Sequence, residues 1–381
     1  RICARGSLSS PRPPGYTEVM AALGTLLSVL GTRPTATLRP WFTHGPALSR
    51  DRSILHPLAE CLELGSFIPV ERGPSAKSFT ALAAGGQRVP VLLARADLPS
   101  GSLDADQDWA WLGRKTPCGT DVFAVAVDEA AVLSAANPAL RDVSCTPLRD
   151  VADEIPSPDD AALLSTARGY MHFHATNRFC ARCGSPTLPT KAGAARLCTN
   201  EACRHKVYPR VDPAAIVLVT SPMSVDGGKH ALLGRKKAWP QGRFSTLSGF
   251  AELGETIEEA LCREVLEESG VVVKPGSLRF ANSQPWLFPQ SLMVGFVAEA
   301  EPSPAAPLAL PTVAHDENEL EACGWFSREY VAARLGGGGI SLSADTSGTA
   351  AAEFHVPGRV SLAHTLITAW ATEGLEPDEY S

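Results

Sequence analysis

Between Gly249 and Val271 the chain reads GFAELGETIEEALCREVLEESGV, with carboxylates at intervals suited to holding a cation. Residues 256–269 have helical periodicity, with Ile257, Ala260, Leu261 and Val265 as one apolar stripe. Thr256 can cap that helix, and Glu259 three residues on completes a capping box. Glu264 and Glu268 are four apart and Glu267 is three from Glu264, so the spacing predicts three carboxylates on one helix face. Like charges placed that way repel, so the helix gains nothing from them alone. A hard divalent cation, Mg2+ or Mn2+, removes the conflict: it takes carboxylate oxygens and leaves room for substrate phosphate. The plain alternative is a solvated acidic helix.

Three further groups of residues carry chemistry. Cys180-x2-Cys183, fourteen residues, then Cys198-x4-Cys203 has the spacing of a structural zinc ribbon, with two disulfides as the rival pairing. Four thiolates make a closed tetrahedral Zn2+ site, which folds a module and does not catalyse. Arg182, Lys191, Arg196, Arg204, His205 and Lys206 predict a cationic face on it, a weak sign of nucleic-acid contact. Residues 283–293 read SQPWLFPQSLM, where Pro285 and Pro289 stiffen a loop. Within it Trp286 and Phe288 offer stacking surface and Gln284 offers hydrogen bonds. Asp316, Glu317, Glu319 and Glu321 form an acidic cluster ahead of Trp325-Phe326.

The elements that must position these groups divide the chain into four. Its 381 residues suffice for two or more domains, and 44% apolar content is ordinarily globular. No apolar run approaches the ~20 residues of a membrane helix, and a net charge of −7 restricts any nucleic-acid contact to a local patch. Ten cysteines, with only four in zinc spacing, point to a reducing compartment. Residues 1–45 hold five arginines and one acid, Glu18, and read as a leader with transit-peptide composition. Residues 46–165 read as a separate α/β domain, with a helix over 55–64 and strands over 88–95 and 121–127. Pro156-Ser157-Pro158 leads into a helix over 160–175, residues 166–210 hold the ribbon, and 211–373 form the last domain. A glycine-rich, low-complexity insertion occupies 336–352 and is expected as a surface loop.

The segment from Gly249 to Val271 resembles the Nudix box, GX5EX7REUXEEXGU with U aliphatic, at every fixed position. SQPWLFPQS is similar to the SQPWPFPxS array of the NADH pyrophosphatase branch of Nudix hydrolases, with Leu287 where that array has proline. The resemblance implies an α/β/α sandwich with a mixed sheet, preceded by the ribbon and an N-terminal α/β domain. It puts strands at 215–220, 231–235, 278–284 and 292–299, and helices near 327–335 and 359–371. It implies Mg2+- or Mn2+-dependent hydrolysis of NAD(H) to NMN(H) and AMP, with removal of NAD caps from RNA as a further activity.

By the same resemblance Glu264, Glu267, Glu268, Glu319 and the carbonyl of Ala251 are metal ligands, oriented by a charge-assisted pair of Glu255 and Arg263. Gly249 and Gly254 would allow the turn from loop to helix. Phe250 would stack on nicotinamide, Tyr208 would reach across a homodimer interface, and Ser291, Met293 and Ala363 would line the base pocket with the SQPW array. The leader then suggests a chloroplast or mitochondrion, otherwise cytoplasm or peroxisome. Two other readings use the same residues: a Nudix hydrolase for ADP-ribose or diadenosine polyphosphates, and a non-catalytic dinucleotide- or RNA-binding module. Lost box carboxylates would mark the second, and every one is present.

Overall fold

A computed structural model describes residues 48–50, 58–82, 86–104, 107–115, 118–133, 143–335 and 354–373. The leader at 1–45, the insertion at 336–352 and the first three residues of the expected 55–64 helix lie outside them.

The first of three sheets has seven strands: β1 (Leu48–Ser49), β2 (Ser66–Glu71), β3 (Ser78–Leu82), β4 (Arg88–Pro90), β5 (Trp109–Lys115), β6 (Asp121–Val127) and β7 (Val143–Thr146). Their order is β1-β5-β6-β2-β3-β4, with β7 on β3. All seven residues of β6 are buried, as a central strand with apolar residues on both faces should be. The strand expected over 88–95 stops at Pro90, which has no N–H to continue the ladder, and a short 3-10 turn, Arg95–Asp97, follows. Helix α1 (Leu58–Leu64) precedes β2, α2 (Glu129–Leu133) follows β6, and α3 (Leu148–Val151) follows β7. Helix α4 (Pro158–Thr176) starts at Pro158 with Ser157 as its cap. Its Leu163, Leu164, Ala167 and Met171 pack against Ile68, Ala110 and Ala124 of the sheet.

The second sheet is a three-stranded antiparallel ribbon, β8 (Thr187–Thr190), β9 (Ala195–Cys198) and β10 (Lys206–Val207). One expected surface cation belongs inside. Arg196 is buried, donates to Asp108, just before β5, at 2.6 Å and to Thr187 Oγ1 at 2.8 Å, and so pins the ribbon instead of facing solvent. A buried guanidinium is stable only with partners of this kind.

The third sheet has six strands: β11 (Asp212–Thr220), β12 (His230–Arg235), β13 (Leu247–Phe250), β14 (Arg279–Trp286), β15 (Ser291–Glu299) and β16 (Ala322–Ser327). It runs β14-β15-β11-β12-β16, with β13 on β11; β11 and β15 are parallel and every other pair antiparallel. Strand alternation splits the core in two. Ala215, Val217, Val219 and Leu232 meet Leu261 and Val265 of helix α6 (Ile257–Ser269), beyond the short α5 (Met223–Asp226). Ile216, Leu218, Ala231 and Leu233 meet Val331 of α7 (Arg328–Leu335) and Leu366 and Trp370 of α8 (Leu362–Glu373). Helices on both faces of a mixed sheet make an α/β/α sandwich. Strands β13 and β16 were not anticipated. Among the described residues, no helix is long and apolar enough to cross a membrane.

Candidate active site

Helix α6 begins in a complete capping box: Thr256 Oγ1 accepts from the Glu259 N–H at 3.1 Å, and the Glu259 carboxylate accepts from the Thr256 N–H at 2.8 Å. It ends at Gly270, whose φ of +71° favours glycine and whose N–H closes on the Leu266 carbonyl. Burial of Ala260, Leu261 and Val265 fixes its rotation. Glu264 and Glu268 then share one flank, and a third carboxylate comes from the loop before β16. Oxygens of Glu264, Glu268 and Glu319 all lie within 4.8 Å of one another. That loop is strapped to the end of α6: Ala314 N–H donates to Ser269 O at 2.9 Å and Asp316 N–H to Glu268 O at 3.3 Å. Buried Leu320 anchors it, and Glu321 pairs instead with Arg235 at 2.7 Å.

Glu267 lies at the edge of the shared face. At roughly 100° per residue it falls on the other side of Glu264 from Glu268. Its side chain is 59% exposed, and it meets Arg263 Nη1 at 2.9 Å. Arg263 is a hub. It takes Glu255 with two bonds, at 2.6 and 2.9 Å, and it reaches Glu264 at 3.0 Å and the Phe250 carbonyl at 3.0 Å. Arg263 holds the Glu255 carboxyl down at about 2, and the Glu252 N–H adds to the effect.

Of the two glycines expected to make the turn, Gly254 does, with φ +96°. Gly249 instead sits on β13, where a Cβ would occupy the space of the Glu264 carboxylate. Ala251 opens the loop from β13 to α6, its N–H tied to the Pro213 carbonyl at 3.1 Å.

Glu268 is 1% exposed, and its Oε2 has no hydrogen-bond partner. Burial pushes its carboxyl up to about 7; Glu264 and Glu319 push the same way and Lys236, 3.4 Å away, opposes them. A buried, half-satisfied carboxylate beside two others is costly without a cation. Glu264, Glu268 and Glu319 therefore fit a divalent metal bound through oxygen. Lys236, just past β12, had no sequence signal beyond its place in a basic run.

The four cysteines form a separate set. Cys180 and Cys203 sulfurs are 3.8 Å apart and Cys183 and Cys198 sulfurs 3.5 Å, and all four lie within 4.8 Å. A disulfide needs about 2.05 Å, whereas the edge of a tetrahedron with zinc–sulfur bonds of about 2.3 Å is about 3.8 Å. These residues fit zinc.

A cavity of about 160 Å³ opens on the α8 side of the sheet. Its walls include Gln284, Trp286, Met293 and Ala363, all expected, together with Ser248 of β13. Ser248 and Gly249 are consecutive and point to opposite faces, so one strand joins the cavity to the carboxylates. Gln284 is committed to the scaffold as well: its amide donates to the Val360 carbonyl at 2.7 Å and accepts from the Leu362 N–H at 2.8 Å. Four other expected residues do not line the cavity. Phe250 and Tyr208 are 58% and 52% exposed, and Lys191 donates to the Tyr208 hydroxyl at 2.9 Å. Phe288 packs towards α4, under the Arg168 guanidinium at 5.2 Å. Ser291 is buried in the β14–β15 ladder opposite Trp286. Trp239, Arg243 and Arg149 line the cavity unforeseen. A tryptophan within the basic KKAWPQGR run was the available signal for the first two; Arg149, from α3, had none.

The NUDIX domain family model matches residues 212–340, and the NADH pyrophosphatase zinc ribbon domain model matches 175–208. The chain carries a NUDIX domain. An NADH pyrophosphatase zinc ribbon domain precedes it. Among curated relatives, the NAD-capped RNA hydrolase NudC of Mycobacterium bovis is 38% identical over 209 residues, 55% of this chain and 60% of that one. The human NAD-capped RNA hydrolase NUDT12 is 40% identical over 218 residues, 55% of this chain and 42% of that one. The matched region thus spans 60% or less of these relatives' lengths. A crystal structure of a NUDIX hydrolase from Nitrosomonas europaea has 19% identity and a TM-score of 0.30, covering 40% of this chain and 80% of its own. Nudix hydrolases use divalent metals, which suits the carboxylate set of this NUDIX domain.

Proposed function

We propose that the protein hydrolyses the diphosphate of NAD(H), giving NMN(H) and AMP, with Mg2+ or Mn2+ held by Glu264, Glu268 and Glu319. The observation that carries this reading is the continuity at β13: Ser248 faces a cavity walled by Trp286 and Met293, and Gly249 abuts the Glu264 carboxylate. A ring seated in the cavity would leave its attached diphosphate at the carboxylates.

Water attacks one phosphorus, the P–O bond to the bridging oxygen breaks, and the other phosphate leaves; the proton of water passes to a carboxylate of α6. A bound divalent ion would neutralise the phosphates and acidify that water. Arg263 holds Glu255, Glu264 and Glu267 in one lattice of charge-assisted bonds, so the acidic groups keep their positions as substrate charge arrives. Glu267, outside the three-carboxylate set but tethered to it, is the accessible proton acceptor and a further ligand; the Ala251 carbonyl stays a candidate ligand. Trp286 supplies ring surface, and the Gln284 clasp keeps the start of α8, with Ala363, against the pocket.

The proposal extends to NAD-capped RNA, the substrate in the names of the two curated relatives. It also extends to a homodimer in which Tyr208 serves the partner's pocket, as its exposed ring allows. Chromatography after incubation with Mg2+ and NADH, NAD+ or ADP-ribose tests the reading. NMNH and AMP from NADH, with much slower ADP-ribose cleavage, is the expected result. AMP and ribose 5-phosphate from ADP-ribose with NADH intact would overturn it.

A further inference from the structure

The Trp286 wall of the cavity rides on a loop that carries Leu287 where the resemblance expects proline. The loop leaves β14 at Trp286 and returns to β15 at Ser291, and Phe288 N–H donates to the Trp286 carbonyl at 2.8 Å across Leu287. Its packing partner is α4, from the half of the molecule ahead of the ribbon. Trp286 and Phe288 both pack against the core that holds Leu164, Ala167 and Met171 of α4, and their own rings meet edge to face at 5.1 Å. Arg168 of α4 donates through Nη1 to the Leu287 carbonyl and sets its guanidinium over the Phe288 ring, 5.2 Å from the centroid. Among the described residues no carboxylate pairs with Arg168, and burial weakens its hold on its proton. A half-buried guanidinium kept from carboxylates is costly unless a carbonyl and a ring face hold it, and here both come from this loop. Beside it, Gly169 gives the Leu287 side chain its room: a Cβ there would lie 3.0 Å from Leu287 Cδ1. A cavity of about 550 Å³ is lined by Tyr170 and Phe173 of α4 and by Pro285 and Pro289, so helix and loop do not touch along their whole length.

Resting on the dinucleotide reading above, the geometry points to Arg168 as a positioning residue: it latches the Trp286 loop to α4, with Gly169 and Leu287 as fitted halves of the same latch. Arg168 is not in the cavity wall and acts through Leu287 and Phe288, whose neighbour Trp286 is. A proline at 287 would fix φ by its own ring. Leucine gives up that restraint, and the contact with α4 holds the loop from outside instead. The carboxylates stand on α6 and on the loop before β16, away from the latch. Loosening it should therefore weaken ring binding and leave metal binding alone.

The test is made on the full protein with Arg168→Leu, Arg168→Lys and Gly169→Val. It reads KM and kcat for NADH, NMNH affinity by quenching of tryptophan fluorescence, and Mn2+ affinity by titration. Arg168→Leu should raise KM and the NMNH Kd about tenfold, with kcat within about threefold and Mn2+ affinity unchanged. Arg168→Lys keeps the charge over the ring but loses the planar fork, and should recover part of the loss. Gly169→Val, which alters no charge, should shift the same two constants by a few-fold, and adding Leu287→Ala should relieve the shift. That pair carries the test if Arg168→Leu fails to fold. Unchanged ring binding in every folded variant, or Mn2+ affinity that falls in step with NMNH affinity, would overturn the latch and leave the hydrolase reading intact. NMNH binding that follows the expected order, in a protein that cleaves no dinucleotide, would support the latch and remove the hydrolase reading.

Discussion

The two sets of metal-binding side chains are built on opposite plans. The thiolate set is local: Cys180, Cys183, Cys198 and Cys203 come from one 24-residue stretch and face each other. The carboxylate set is assembled. Glu264 and Glu268 ride on α6, Glu319 arrives from a loop fifty-one residues past Glu268, and the set is unevenly satisfied, with one buried oxygen unpartnered and Glu319 exposed. Four thiolates leave a tetrahedral ion no open position, so such a site can only hold structure. Three carboxylates leave coordination positions for water and phosphate. Local and closed goes with folding; assembled and open goes with chemistry.

That contrast breaks most sharply at Glu268. Replacing it with Gln removes a buried charged ligand but keeps the shape, and steady-state turnover of NADH should fall roughly 10³-fold while thermal unfolding stays at or above the wild-type midpoint. Gly249→Ala presses a methyl group into the Glu264 carboxylate, and a displacement of that kind should cost about 10²-fold in kcat with little change in KM. Arg263→Gln frees Glu255, Glu264 and Glu267 together and should weaken Mn2+ affinity, read by titration, by about 10- to 100-fold.

The metal-free protein should also show an inverted pH response. Glu268 is held up to about 7 against 4.5 for an ordinary glutamate, so between those values the folded state binds more protons than the unfolded chain. Stability to urea is then full below about pH 4.5 and declines as pH rises towards 7, by on the order of 3 kcal/mol. Added Mg2+ should cancel the decline, and in Glu268→Gln it should be absent. Cys180→Ser tests the other side of the comparison. It should release zinc and expose the 175–208 region to protease first, with only a few-fold effect on kcat per folded molecule.

The difference between local and assembled features also decides what the sequence could disclose. The capping box, the apolar stripe of α6 and the cysteine spacing are short-range patterns, and each appears in the structure where the pattern puts it. The full ladder of β6 was legible because Val122, Phe123, Val125 and Val127 favour strand within an unbroken apolar run. Leu247–Phe250 was not, since a serine and a glycine in four residues give no alternation to read, and its pairing with β11 is what makes it a strand. β16 hides for a related reason: ACGWFS has all its residues half-buried and lacks a polar face. Glu267 was grouped with Glu264 and Glu268 by spacing, and only the fold shows its carboxylate taken up by Arg263. Gln284 was marked for substrate, and only the fold shows both ends of its amide holding Val360 and Leu362. Arg196 looked like a surface cation until Asp108 appeared beneath it. Arg149 carried no signal at all, being ninety-four residues ahead of the nearest other arginine of the cavity.

The most direct test of the division of labour is metal exchange followed by product analysis. Brief passage through EDTA should strip the carboxylate set and abolish NADH cleavage while zinc stays with the protein. Addition of Mg2+ or Mn2+ alone should then restore formation of NMNH and AMP. Restoration only by Zn2+, or full activity in protein carrying zinc and no other metal, would contradict the assignment of folding to the cysteines and chemistry to Glu264, Glu268 and Glu319.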